Sequence, residues 1–451
     1  MSAGADLLRE LEEKSRGRIT IQAGSGVGAS VIRQLYPLTG IKAYHMTGKR
    51  VIDSEMQFRK DGVNMGLPML SEYEIWRTDV DNIRAAKKFW RNYNGRTEDF
   101  LKGNRDRIEK SYLEQAKSLP RVFAPVDEKL QKCTEEVALA CKYLYAFMPY
   151  SDIGNYPFEV FLDYAENGVN LWKENPQVAD LPEEIFLNYV LFHRVNEEEI
   201  APCRTFFRTE IGTRTQGMNF KEAALEVNYW CAEEATYHCT DDRTLSAVSV
   251  YRRGNGRCGE ESVFTVNALR SVGVPARQVY APKWSHCDDN HAWVEIWCDG
   301  EWYFLGACEP EEILNKGWFT NASSRAMMIH SRVFDTKIPN GEVIGKDGMV
   351  TMLNELKRYA VTKEITVSVK DEQGAPAEGT EVSFEVLNYS EYAPIAEKKT
   401  DSKGTARLTT GLGSLHISAR MCSDGEWFYA ETVMNIEKED NCELVWYRRI
   451  K

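Results

Sequence analysis

Residues 254–262 read GNGRCGEES and place Cys258 in a glycine-rich turn, just before a run of residues with helical spacing. Apolar residues recur at i, i+4 and i+8 along that run: Phe264, Ala268 and Val272. Gly273 then ends the pattern. Cys258 is therefore predicted at or just before the N-terminus of a helix, where exposed amides and the positive end of the helix dipole favour a thiolate and lower the pKa of the thiol. The alternative is a structural cysteine that packs as a small apolar side chain.

A nucleophilic cysteine also needs a base, and His291 is the candidate. It opens the segment HAWVEIWC (291–298), in which polar and apolar residues alternate as in a strand with one apolar face. Asp299 and Gly300 then form a typical two-residue hairpin turn. The resulting register pairs residue 298 with residue 301 and predicts that His291 lies opposite Cys308. A histidine on a strand is more often structural, so the interpretation of His291 as a base depends on its occurrence together with Cys258.

The two segments GRCGEESVFTVNALRSVGVPARQVYAP (256–282) and NHAWVEIWCDGEWYFLGA (290–307) together resemble the transglutaminase-like superfamily. The resemblance extends over roughly 219–330. GRCGE is especially similar to the peptide N-glycanase branch, and the wider arrangement is similar to uncharacterised bacterial members. The resemblance implies a papain-like Cys-His-Asp site. In that site Cys258 attacks an amide carbonyl, and His291 pairs with the sulfur and protonates the departing amine.

The third member of the triad departs from the family pattern, because Gly306 stands where the family's Asp is expected. Glu309 is the favoured substitute, and it would face His291 if one residue loops out at Gly306. Asp289, Cys308 and the absence of any third carboxylate remain open alternatives.

The oxyanion donors are also incompletely defined by the sequence. The amide of Cys258 supplies one hydrogen bond to the developing charge. A second donor is expected from the preceding helix, where Trp230 and Asn228 are candidates and packing is the favoured role for Trp230. No metal and no cofactor are expected, because the chain has no paired C-x-x-C and His286, Cys287 and His291 do not complete a tetrahedral site. The zinc-binding cysteine pairs of eukaryotic glycanases are therefore missing.

The composition and charge of the chain limit the classes of binding partner that we expect. The 451 residues are 43% hydrophobic, carry a formal charge of −12 and have a pI near 5.3, which disfavours general binding to nucleic acid or to anionic membrane. A peptide, protein or glycopeptide substrate is expected, and the oligomeric state is left open. Eleven cysteines without a repeated pattern indicate a reducing compartment. The chain lacks a signal peptide and a long apolar run, so a cytoplasmic location is expected unless an export signal was removed.

The fold class predicted is α+β, with a transglutaminase-like, papain-like core between two further regions. We predict a mainly helical N-terminal region (1–215), the catalytic core (216–335), a connector (336–361) and an immunoglobulin-like β-sandwich (362–451). The helical region contains the glycine stretch GSGVGAS (24–30), which we interpret as a flexible turn because it lacks the Lys-Ser/Thr ending of a phosphate loop.

The function expected is that of a cysteine-dependent amide hydrolase or protease that passes through a thioester. Glycanase-like cleavage of the sugar–asparagine amide and transglutaminase transfer to an amine are alternatives within the same chemistry. A binding scaffold without catalysis is the alternative from another class, since the family Asp is missing. A scaffold needs neither Cys258 nor His291, so the presence of both residues favours an enzyme.

Overall fold

The computed structural model describes residues 4–15, 18–39, 41, 43–57, 73–84, 86, 100–239, 241, 243–423 and 425–448. The chain divides into two compact units, one formed by Met1–Lys102 with Trp172–Asp180 and the other by Gly103–Leu171 with Leu181–Lys451.

Helices lie mainly between residues 105 and 271. In chain order they are α1 (Ala5–Ser15), α2 (Ala29–Thr39), α3 (Arg105–Ser118), α4 (Pro120–Leu130), α5 (Glu135–Phe147), α6 (Tyr150–Asn155), α7 (Phe158–Glu174), α8 (Pro176–Ala179), α9 (Glu183–Phe186), α10 (Arg204–Ile211), α11 (Phe220–Glu234), α12 (Ala247–Arg253), α13 (Cys258–Ser271) and α14 (Thr320–Ser323). A π-helical turn covers Leu187–Leu191 and a 3-10 turn covers Leu356–Arg358.

Strands dominate the chain after α13. They are β1 (Gln22–Ala23), β2 (Ala43–Tyr44), β3 (Lys49–Asp53), β4 (Glu74–Thr78), β5 (Thr236–Tyr237), β6 (Asn255–Gly256), β7 (Ala276–Ala281), β8 (His291–Cys298), β9 (Glu301–Leu305), β10 (His330–Val333), β11 (Val343–Asp347), β12 (Val350–Asn354), β13 (Thr362–Lys370), β14 (Glu381–Asn388), β15 (Glu391–Lys399), β16 (Thr405–Gly411), β17 (Ser414–Ser423), β18 (Glu426–Asn435), β19 (Asn441–Val445) and β20 (Tyr447–Arg448).

The smaller unit contains short strands as well as helices. β1 and β2 pair in parallel, and α2 connects them. The glycine stretch at 24–30 forms the turn from β1 into α2, and Ser25 and Gly26 there have positive φ. Within the described part of residues 1–215, helices therefore begin to dominate only at Arg105. No helix among the described residues is long and apolar enough to cross a membrane.

The larger unit contains a mixed helix and sheet core around α13. Its six-stranded sheet has the order β11-β12-β10-β7-β8-β9, and α13 packs against β7 and β8. α11 begins with a capping box, in which Asn219 and Glu222 bond each other's backbone amides. α13 is buried on nearly every side, as expected for a helix at the centre of a domain.

The chain beyond residue 362 forms two further sheets. One has the order β16-β13-β19 and the other β15-β14-β17-β18-β20, and apolar side chains from both sheets form one core. The predicted sandwich of alternating strands is thus present, while the assignment as immunoglobulin-like stays a prediction. Of the predicted connector, β11 and β12 belong to the six-stranded sheet. The exact domain boundaries remain predictions.

Candidate active site

Cys258 is the first residue of α13, as the sequence predicts. Two bonds to the carboxylate of Glu260 fix this helix start: the amide of Arg257 donates to one oxygen (2.8 Å) and that of Leu245 to the other (3.1 Å). Glu260 is fully buried, so it acts as a structural cap. The turn therefore holds the half-buried thiol of Cys258 in a defined place.

The predicted lowering of the Cys258 pKa is wrong for this structure. Burial raises the pKa of the thiol, and the nearby carboxylates of Glu261 and Asp289 raise it further. The backbone amides of Ala292 and Gly259 act in the opposite direction without reversing the shift. The helix start supplies the expected favourable amides, but desolvation of the thiolate is the larger effect.

His291 is the first residue of β8 and is 6% exposed. Burial lowers the pKa of its imidazole to about 4, and the charge of Asp289 opposes that shift. Rings of Trp293, Trp318 and Phe319 surround the imidazole, with centroids 4.7–5.7 Å away. Its Nε2 atom is buried and has no hydrogen-bond partner in the described part of the chain. The imidazole is therefore neutral at pH 7 and has one nitrogen that no side chain satisfies.

The strand start brings the thiol and the imidazole into one region. The amide that favours the Cys258 thiolate belongs to Ala292, the residue directly after His291. Among the described residues no hydrogen bond joins the two side chains, and hydrogen bonds of catalytic groups often tighten only when substrate binds. In this state a neutral thiol and a neutral imidazole replace the ion pair that the family resemblance implies.

The hairpin register is confirmed up to the end of β9. Cys298 pairs with Glu301 and Val294 with Leu305, with positive φ at Asp299 and Gly300 in the turn. The extension that would bring His291 opposite Cys308 is wrong, because the chain leaves the sheet after residue 305.

The chain turns sharply after β9, and Gly306 bridges to Glu309 across that turn. A Cβ atom at position 306 would lie 2.6 Å from the Glu309 carboxylate. Glu309 therefore occupies the space in which a side chain at position 306, the family's Asp position, would begin.

The Glu309 carboxylate bonds a tryptophan instead of His291. The indole nitrogen of Trp318 donates to both carboxylate oxygens at 3.0 Å, and the Trp318 ring lies against the His291 ring. Burial raises the pKa of Glu309, and this bond opposes the shift. Asp289, on the exposed segment before β8, is the carboxylate whose charge acts on His291.

The remaining predicted site residues lie elsewhere. Cys308 is 3.7 Å from the hydroxyl of Thr265, and its contact with Cys231 and its burial raise the pKa of its thiol. Trp230 stacks on Tyr251 within an aromatic cluster and is 4% exposed, which is a packing position rather than that of an oxyanion donor. Asn228 is buried and donates to the carbonyl of Gly306 at 2.8 Å.

Glu261 is a site residue that the sequence reasoning missed. It lies one helical turn after Cys258 and is 4% exposed. Burial raises the pKa of its carboxyl to about 8, and the charges of Glu309 and Glu260 contribute to the shift. Its spacing of three residues from Cys258 would have indicated a shared helix face. Its neutral state depends on neighbours that only folding brings together.

A buried ion-pair network behind His291 was also missed. Arg277 and Glu295 face each other on β7 and β8 and are bonded at 2.8 Å. Arg358 bonds Glu295 at 3.0 Å, and the hydroxyl of Tyr359 donates to it at 2.6 Å. The Trp293 indole in turn donates to that hydroxyl, so the network supports the ring that stacks on His291. The Glu of HAWVE is thus structural.

Of the tryptophans near the site, Trp284 and Trp293 are buried in the core beside the sheet. Trp297 is half-buried and contacts Trp302 edge-on. Trp318, which the sequence reasoning did not select, is 64% exposed next to His291. In the described ranges no group of three or more His, Cys, Asp or Glu side chains is arranged to hold a metal ion.

Comparison with known families confirms the resemblance seen in the sequence. Residues 208–307 match the model of the transglutaminase-like superfamily. This stretch contains Cys258, His291 and the turn at Gly306, so the candidate site lies inside a transglutaminase-like domain.

Solved structures with some likeness include a candidate cysteine protease from Cytophaga hutchinsonii, at 17% identity and a TM-score of 0.24, covering 40% of this chain and 65% of that one. Red sea bream transglutaminase is 10% identical with a TM-score of 0.22, covering 52% and 56%. At these scores neither likeness carries an argument about this chain.

A second set of relatives consists of proteins described as family protein CutC. The Bacteroides fragilis protein is 38% identical over 82 residues, which are 18% of this chain and 33% of the relative. The Pasteurella multocida protein is 38% identical over 84 residues, covering 19% and 34%. The chain therefore spans about a third of the length of these relatives.

Proposed function

We propose that the transglutaminase-like domain is a cysteine-dependent amide hydrolase that forms a thioester on Cys258. The observation that carries the proposal is the position of the thiol at a helix start, facing the amide of Ala292, next to a histidine whose buried Nε2 has no partner. An unsatisfied buried nitrogen is costly unless a substrate, water or thiol proton completes it.

The chemistry follows from the neutral state of both groups. As the sulfur of Cys258 attacks the amide carbonyl, Nε2 of His291 accepts the thiol proton, and a C–S bond forms. The imidazolium then gives that proton to the amine, the C–N bond breaks, and a thioester remains. Water then attacks the thioester while His291 accepts its proton, a C–O bond forms, the C–S bond breaks, and the proton returns to the sulfur as the acid leaves. The amides of Cys258 and Gly259, at the start of α13, are the proposed oxyanion donors.

Two carboxylates have separate roles in this proposal. Asp289 stabilises the imidazolium by its charge, because it is the group that raises the pKa of His291. Glu309 acts through Trp318, whose ring it holds against His291. Glu309, as the predicted third member, is then a positioning residue, and Cys308 has no part in the reaction.

The substrate proposed is a peptide or glycopeptide. The exposed ring of Trp318 beside His291 is suited to packing against an apolar side chain or a sugar face. Transfer to an amine and glycanase-like cleavage share the thioester and are the alternatives within this chemistry. The raised thiol pKa and the glycine at the family's Asp position favour the second candidate function, a scaffold that binds such ligands without turnover.

The test is a hydroxylamine trapping assay with blocked glutamine peptides, casein peptides and an N-glycopeptide. Hydroxylamine converts the thioester to a hydroxamate, so wild-type protein is expected to produce hydroxamate from one of these amides. Cys258→Ala and His291→Ala should each reduce turnover at least about a thousandfold, as for the loss of a nucleophile or its base.

Cys239→Ala is the matched control, since Cys239 is an exposed cysteine outside the proposed chemistry. It should retain wild-type turnover. Activity that survives Cys258→Ala would refute the assignment of the nucleophile. Substrate binding without hydroxamate or acid production would establish the scaffold instead.

For the rest of the chain we propose the predicted division, with an immunoglobulin-like sandwich at 362–451. Its support is the pair of facing sheets with a shared apolar core. The parallel pairing of β13 with β19 closes the smaller sheet.

A further inference from the structure

The turn between β14 and β15 reaches the segment that leads into His291. Asn388 ends β14 and is 1% exposed. Its side-chain amide donates to the carbonyls of Cys287 (2.9 Å), Trp284 (3.0 Å) and Asp289 (3.3 Å). One side chain of the sandwich therefore bonds three carbonyls of a segment whose own side chains are largely exposed.

A second bond comes from the next residue of the turn. The backbone amide of Tyr389 donates to the Asp288 carboxylate at 2.7 Å. The 284–289 segment also closes on itself, since the amide of Trp284 donates to the carbonyl of Asp289 at 3.0 Å. The segment is thus tied at both ends and at its middle, although it has no regular secondary structure.

The turn itself has an unfavourable local sequence. Tyr389 and Ser390 have φ values of +52° and +60°, the left-handed conformation of a two-residue hairpin that normally selects Asn or Gly. Such backbone strain persists only where the surroundings fix it, and it concentrates at functional sites. Here the surroundings include the bonds from Asn388 and Tyr389 to the segment before β8.

The sandwich is attached to the core at another place as well. The side chain of Asn354 donates to the carbonyl of Thr409 at 2.7 Å, and the amide of Gly411 donates to that of Met327 at 3.1 Å. Met327 and Met328 belong to the apolar core of the sandwich. The β14–β15 turn is therefore held on a docked domain, and its bonds can fix the position of Asp289.

We propose that Asn388 is a positioning residue for the candidate active site: it holds the 284–289 segment and so fixes Asp289, two residues before His291, and the sandwich is thereby part of the functional unit. This inference rests on the proposed function for its catalytic consequence. It gives the C-terminal domain a role beyond that of a spacer or a stabilising appendage.

The test compares Asn388→Ala and Asn388→Asp with wild type in the full chain. Both variants lose the three donated bonds, so amide hydrogen exchange in peptides covering 283–290 should accelerate by about tenfold or more. In the trapping assay kcat should fall by about tenfold or more while KM changes little, because Asp289 is displaced from His291 and substrate contacts are kept. The acid limb of the pH profile should move to lower pH as His291 loses the charge that raises its pKa.

Asn435→Ala is the matched control. Asn435 also lies at a sandwich turn, but its side chain accepts from the amide of Glu437 within that turn. Exchange in 283–290 and kcat should stay at wild-type values. Asp288→Ala is the second variant. The exposed Asp288 carboxylate, which accepts the bond from the Tyr389 amide, lies outside the sandwich, so its removal leaves the sandwich folded. The variant should accelerate exchange in 283–290 by about fivefold.

Unchanged exchange in 283–290 in the Asn388 variants, or unchanged kcat, overturns the proposal. If the Asn388 variants lose amide protection throughout the sandwich, the sandwich itself has been destabilised, and Asp288→Ala becomes the deciding variant. Unchanged exchange in 283–290 of Asp288→Ala then overturns the proposal. If wild type turns over no amide, the proposed function fails, and the exchange measurements still decide whether Asn388 orders the segment before His291.

Discussion

Glu295 and Glu261 lie in the same domain and are almost equally buried, at 1% and 4% exposure. Burial raises the pKa of each, but Arg277, Arg358 and Tyr359 hold the pKa of Glu295 below its ordinary value. For Glu261 burial and the charge of Glu309 act together and raise the pKa to about 8. The same side chain is thus ionised behind His291 and neutral beside Cys258.

The comparison shows that partners, more than burial, determine charge in this domain. The network around Glu295 supports the rings against which His291 packs, and it requires a permanent negative charge. The region around Glu261 contains Cys258, Glu260, Glu309, Cys308 and Tyr237, and none of the groups that shift its pKa is basic. Where no basic group offsets burial and the neighbouring carboxylates, the Glu261 carboxyl stays protonated and the Cys258 thiolate is costly.

The largest effect on stability is expected from removing the charge of Glu295, the ionised carboxylate. Glu295→Gln removes one of the two carboxylates that Arg277 and Arg358 share, the other being Glu355, and removing one partner of a buried ion pair costs about 3–5 kcal/mol. The free energy of unfolding, measured in urea by tryptophan fluorescence, should fall by that amount. Glu301→Gln on the neighbouring strand, where the side chain is exposed, should change it by less than about 0.5 kcal/mol. Equal effects would contradict the assigned role of the network.

The neutral side is tested by Glu261→Gln. The folded-state pKa of about 8 exceeds the ordinary value near 4.5, so the unfolded chain releases this proton first, and wild-type stability falls as the pH rises from about 5 to about 8. The contribution is at most about 1.4 kcal/mol per pH unit, and Gln removes it. Urea unfolding at several pH values should therefore show a smaller decline for the variant. A slope identical to wild type would mean that Glu261 is ionised. The exposed Glu312→Gln is the control.

A smaller effect is expected when the charge of Glu309 is removed. Glu309→Gln takes away one cause of the raised Glu261 pKa, so the pH interval over which stability declines should end at lower pH. The variant also weakens the bond to the indole of Trp318, which is already 64% exposed, so quenching of tryptophan fluorescence by an aqueous quencher should increase by less than about twofold. If both quantities match wild type, Glu309 affects neither group.

The smallest effect concerns the reactivity of Cys258. Because burial and the carboxylates of Glu261 and Asp289 raise its pKa, alkylation by iodoacetamide should still be increasing at pH 9 in the free protein. Glu261→Gln removes one negative charge and should accelerate labelling at pH 9 by about threefold. Peptide mass spectrometry resolves Cys258 from exposed Cys287, whose rate serves as the reference. Fast labelling of Cys258 at pH 6 would show that a thiolate is already present.

Sequence alone determined the local elements of the site. Helical spacing and Gly273 defined α13 with Cys258 at its start, and Asp299-Gly300 defined the β8–β9 hairpin and its register. These features depend on interactions between residues close in the chain, where spacing and turn residues suffice.

Tertiary structure decided the electrostatics and the partners. The turn at Gly306 sends Glu309 to Trp318, the Cys258 pKa is raised rather than lowered, and Asn388 bonds a segment about a hundred residues earlier in the chain. None of these can be obtained from spacing, because desolvation and Coulomb interactions depend on distances that only the packed chain fixes. The sequence specified which groups could react, and the fold specified their charge and their neighbours.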